Sequence, residues 1–82
     1  MTESGEEFAK VHAFYARSYR RDILSLLREA PRTYAYLRER CLSSASGEVL
    51  KMAYLDAMKQ LWDEGLVRYA GGRVLLSKEG AA

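Results

Sequence analysis

The residues best placed to do chemistry are cations spread along the second half of the chain. Arg32, Arg38 and Arg40 surround one short helical segment, Lys51 stands near the start of the next, and Arg68 and Arg73 flank a Gly71-Gly72 pair. A guanidinium presents paired donors to a phosphate or a guanine edge, which a mobile ammonium does not. Nine of the thirteen basic residues are arginine, yet eleven acidic residues leave a net charge of only +2. An anion-binding surface must therefore come from local arrangement rather than from overall charge.

Catalytic and metal chemistry lack a residue set. His12 is the only histidine and Cys41 the only cysteine, so no Ser-His-Asp arrangement and no metal site within one chain can be assembled. Gly71-Gly72 is not followed by a helix, which separates it from a phosphate-binding loop. A lone cysteine excludes an internal disulfide and fits a reducing compartment. The opening Met1-Thr2-Glu3-Ser4-Gly5-Glu6-Glu7 is acidic where a signal peptide is basic, and no apolar run reaches membrane-spanning length. The expectation is a cytoplasmic protein with no enzyme activity, cofactor, metal or membrane.

Eighty-two residues support one small core, so the elements that position these cations belong to a single domain over residues 1–82. Ser4 and Glu7 have capping-box spacing, and Phe8, Val11, Tyr15, Tyr19, Ile23, Leu26, Leu27 and Ala30 follow at helical intervals. This is one long helix, or two end to end with Ser18 capping the second. Pro31 ends it, because the residue before a proline is pushed out of the helical region. Arg17, Arg20 and Arg21 are either a backbone-contacting patch or a solvated face with ion pairs such as Arg17 to Asp22.

Thr33 is the expected N-cap of a short second helix whose inward side carries Tyr34, Tyr36, Leu37 and Cys41 or Leu42. Ser43-Ser44-Ala45-Ser46-Gly47 reads as a loop, any serine of which can cap a third helix over residues 47–64. On that helix Leu50, Tyr54, Ala57 and Leu61, with Met58 beside them, form the inward face. A second stripe of Met52, Leu55, Lys59 and Trp62 lies away from it and needs a cover, from the N-terminal helix or a partner subunit.

Gly65 supplies a left-handed helix end, and Gly71-Gly72 a two-residue turn between two apolar runs. The turn pairs Ala70 with Arg73, Tyr69 with Val74, Arg68 with Leu75 and Val67 with Leu76. Val67, Tyr69, Val74 and Leu76 then face the helices, and Arg68 and Arg73 share the outer face. The fold class is mainly α with a C-terminal β-hairpin.

The order helix, helix, helix, hairpin, with Leu61-Trp62-Asp63-Glu64-Gly65-Leu66-Val67 and Val74-Leu75-Leu76-Ser77-Lys78-Glu79-Gly80, resembles the winged helix-turn-helix repressors of arsenical and multiple-antibiotic resistance. In those families Leu-x-x-x-Gly-Leu-Val closes the recognition helix and Val-x-Leu-Thr-x-x-Gly closes the wing; Ser77 stands where threonine is usual. Thr33-Tyr34-Ala35-Tyr36-Leu37 is similar to the Thr-x-x-x-Leu that opens the preceding helix. The resemblance covers residues 18–80, with residues 5–17 as an additional N-terminal helical segment. The paired cysteines of metal-sensing members are absent, so no effector is implied. In size the chain also resembles small phage or prophage DNA-binding proteins.

The resemblance implies sequence-specific binding of double-stranded DNA by a small homodimeric transcriptional regulator. Ser44, Ser46 and Lys51 are then the recognition-helix contacts, and Thr33, Arg32, Arg38, Arg40, Arg68 and Arg73 the backbone and wing contacts. Phe8, Val11, Phe14, Tyr15 and Trp62 are the expected dimer surface. The alternative is a winged helix used as a protein-interaction or assembly adaptor. One continuous cationic face favours DNA; an interrupted one, with Met52, Leu55 and Trp62 exposed, favours protein.

Overall fold

The computed structural model describes residues 2–43 and 47–77, with side chains from Ala9 onward. Among them the chain forms α1 (Thr2–Glu29), α2 (Tyr34–Cys41), α3 (Glu48–Asp63), β1 (Val67–Ala70) and β2 (Arg73–Leu76). The mainly helical chain with a C-terminal antiparallel hairpin matches the coarse architecture expected from the sequence.

The first helix is continuous, so Ser18 caps nothing, and it runs through Ser4, which therefore does not mark its start. It stops at Glu29, ahead of Ala30 and Pro31. Its apolar stripe divides in two. Ala16, Tyr19, Ile23 and Leu27 are buried, whereas Val11 is 45% and Phe14 60% exposed. Facing explains the division: at about 3.6 residues per turn, Phe14 lies almost opposite the line of Ala16, Tyr19, Ile23 and Leu27, and Val11 lies well to one side of it.

In the second helix Thr33 acts as the cap, its Oγ1 accepting the Tyr36 N–H at 3.1 Å. Leu37 is its fully buried residue, while Tyr34 stays largely exposed and Tyr36, Cys41 and Leu42 are half-buried. Immediately before the cap, Arg32 and Val74 exchange both backbone hydrogen bonds, at 3.0 and 2.6 Å. The segment leading into α2 is thus stitched to β2 beside the hairpin.

Gly47, rather than a serine, occupies the N-cap of α3 and offers it no side-chain bond. Ser44 and Ser46 lie outside the described residues. The inward face is Ala53, Tyr54, Ala57 and Leu61, all fully buried, with Leu50 and Met58 partly covered. At the C-terminus Gly65 has φ 74, its N–H donates to the Trp62 carbonyl, and the Leu66 N–H donates to that of Leu61, both at 3.0 Å. This pair of bonds is the Schellman ending that a left-handed glycine permits.

The hairpin has the register expected from its turn, Val67 opposite Leu76 through Ala70 opposite Arg73. Gly71 and Gly72 have φ 61 and 77, as a two-residue turn that follows the strand twist requires. Its base is closed by Ser77, whose N–H donates to the Leu66 carbonyl and whose hydroxyl donates to that of Gly65. A hydroxyl residue at this position therefore fastens the strand end to the glycine that terminates α3.

Candidate nucleic-acid interface

The cation set divides when placed on these elements. Tyr34, Arg38 and Leu42 recur every fourth residue along α2 and face Lys51 of α3 across a cleft of about 420 Å³, also lined by Ala35, Glu39 and Ser43. Arg38 and Lys51 have no ion-pair partner among the described residues. Arg40 does not join them. It lies two residues beyond Arg38, on another side of the helix, in a hollow with Asp22, Ser25, Leu26 and Cys41. The spacing alone contains this signal, since positions i and i+2 do not share a helix face.

Arg32 is committed elsewhere. Its guanidinium bonds Glu29 at 3.0 Å and lies 4.6 Å from the Tyr36 ring centre, a cation–π stack, while its Nε is buried without a partner. The oxygen of Thr33 is engaged in its capping bond, leaving the hydroxyl hydrogen as its remaining donor. Arg68 and Arg73 are exposed on one face of the hairpin, opposite the buried Val67 and Val74. The cations thus form two patches, Arg38 with Lys51 at the cleft and Arg68 with Arg73 on the hairpin.

Between these patches the outward face of α3 is apolar. Met52 is 49% exposed, Leu55 54% and Trp62 54%. Lys59, the cation among them, is paired with Asp63 at 3.0 Å, and that hydrogen bond raises its pKa. Tyr69 of β1 has the expected side but not the expected burial: it is 56% exposed, in a groove of about 420 Å³ with Tyr34, Leu55, Met58, Trp62 and Val74. Val74, its cross-strand partner, takes the buried position on that face.

The expected dimer residues also separate. Val11, Phe14 and Tyr15 are exposed on α1, with the Phe14 ring edge-on to Tyr15 at 5.5 Å. Arg17, Ser18 and Arg21 surround Phe14 in a shallow hollow. Trp62 belongs instead to the α3–hairpin groove. The side chain of Phe8 lies outside the described residues.

Several organising contacts escape sequence reasoning. Arg20 does not merely face solvent: it reaches Gln60 at 2.9 Å and Glu64 at 2.6 Å. His12 lies 3.0 Å from Asp56. These pairs fasten α1 to α3. Tyr54 is fully buried with an unpartnered hydroxyl, and burial drives its pKa up. Burial likewise pushes the Cys41 thiol up to about 11, making it a packing residue rather than a nucleophile at neutral pH.

Among the described residues no group of three His, Cys, Asp or Glu is placed to hold a metal ion. No helix there is long and apolar enough to cross a membrane. No family model matches the chain, and neither a curated protein nor a solved structure matches it.

Proposed function

We propose that this chain is a winged helix-turn-helix that binds double-stranded DNA and acts as a homodimeric transcriptional regulator in the cytoplasm. The observation that carries the reading is the pairing of Arg38 on α2 with Lys51 on α3 across one cleft, both without ion-pair partners among the described residues. Two more cations, Arg68 and Arg73, stand on the hairpin that follows. With α3 in the major groove these patches address the phosphates on its two sides. Met52 and Leu55 then meet base edges, where apolar side chains contact thymine methyl groups. The Arg32–Val74 bridge supports the same fold, because it adds a third backbone segment beside the wing.

Four cations make a weak monomeric DNA binder, and two copies double the contacts. The exposed Val11, Phe14 and Tyr15 on α1 supply an apolar surface for that pairing. Eight phosphate contacts per dimer give a log–log salt slope near roughly −7. Selection from a random duplex pool at low salt, followed by a salt titration and a measurement of mass in solution, tests this. Absence of any bound duplex at low salt removes the reading.

The exposed Leu55, Trp62 and Tyr69 groove favours a second reading, a protein-interaction adaptor. Trp62→Ser separates the two. It leaves duplex affinity intact if the groove is a protein site and no wider DNA surface includes it.

A further inference from the structure

The cleft between α2 and α3 has two levels. Tyr34, Arg38, Leu42 and Lys51 line both the outer part and a deeper part of about 220 Å³, where Tyr54 and Leu55 complete the wall. Tyr54 is 0% exposed and its hydroxyl has no hydrogen-bond partner. A buried hydroxyl is almost always bonded, so one left alone beside a cleft marks a place for an acceptor. Arg38 holds down the Tyr54 pKa that burial and Tyr34 raise, which puts the guanidinium, the Tyr34 ring and this hydroxyl in one neighbourhood. The Tyr34 and Tyr54 rings are 6.2 Å apart, centre to centre, in an edge-on arrangement.

Two cations and one orphan O–H line the cleft, against the single carboxylate of Glu39. We propose that this cleft binds a phosphate-type oxyanion, with Arg38 and Lys51 supplying charge and the Tyr54 hydroxyl donating at the floor. A phosphate carries several terminal oxygens set in different directions, so it can answer all three donors at once. Glu39 lines only the outer level, so it opposes the anion's entry without facing its seat. The same phosphate chemistry has two sources, a free phosphate or nucleotide and the phosphodiester backbone of a duplex. The site does not depend on the DNA reading above, although that reading supplies one of its two ligands.

The experiment titrates the full chain with inorganic phosphate, then adenosine monophosphate, at constant ionic strength against chloride, following Tyr34, Arg38 and Lys51 signals by NMR. Tyr54→Phe is the central variant, because it removes the hydroxyl alone and is expected to melt no lower than the parent. It should weaken phosphate binding about tenfold, the scale of one hydrogen bond in a charged setting. Arg38→Gln should weaken it at least as much, and Glu39→Gln should tighten it. Phosphate binding with these responses supports the site. If a duplex then displaces the phosphate, the backbone is a ligand of the cleft. If a duplex does not, the site takes free phosphate and the DNA reading loses its best-supported contact. Phosphate shifts no larger than those of chloride, or affinities unmoved by Tyr54→Phe and Arg38→Gln, overturn the proposal.

Discussion

The two sides of α3 are built on opposite plans. On the α1 side nearly everything is matched: Ala53, Ala57 and Leu61 are fully buried, Arg20 holds Gln60 and Glu64, and His12 meets Asp56. On the outward side Met52, Leu55 and Trp62 lie open, and Lys51 faces an equally unpaired Arg38. The first side holds the molecule together. The second holds groups that gain free energy only when something else arrives, as expected of a recognition surface.

Substitutions sharpen or break that contrast. Leu61→Ala should be the most damaging, costing about 2–5 kcal/mol by loss of burial and a residual cavity. Urea denaturation checks it, and a cost below that range means that the α1 side does not carry the stability. Gly72→Ala comes next, at about 1–2 kcal/mol for a left-handed residue with a side chain. No atom lies within 4 Å of the added carbon, so a fall in Tm reports backbone strain alone.

Arg20→Ala should cost about 0.5–1 kcal/mol, the range for a partly exposed ion pair, and Lys51→Ala close to nothing. Equal losses for the two would erase the distinction between matched and open sides. The remaining effect is a pH dependence, absent at neutral pH and confined to alkaline solution. With its pKa raised to about 11 against an ordinary value of 9.0, the Cys41 thiol stays protonated in the folded chain where the unfolded chain has lost its proton. The unfolded state binds fewer protons between those values, so this contribution is complete below pH 9.0 and fades towards about pH 11. Comparing Cys41→Ala with the parent across that window isolates it. Alkylation of native Cys41 should accelerate over the same range.

Local signals in the sequence were sufficient at several places, though not at Ser4 or Ser18, which lie inside a continuous helix. Thr33 caps the helix that follows it, Gly65 ends α3, Gly71-Gly72 turns the hairpin, and the strand register follows from that turn. The candidate site was legible only in part. Arg38 and Lys51 line one cleft, but Arg32 is held by Glu29 and Tyr36, and Arg40 faces another hollow. Contacts such as Arg20 to Glu64 join residues more than forty positions apart, and helical periodicity says which face a residue occupies, not what it will meet there. Tyr54 looked like one more core residue for the same reason: its hydrogen-bond deficit appears only once the surroundings of the hydroxyl are known.

The Arg32–Val74 bridge ties the hairpin to the start of α2 by two backbone hydrogen bonds, so neither segment shifts without straining the other. Loosening of that tie, by a substitution at either end, should appear as faster exchange of the Arg32 and Val74 amide protons.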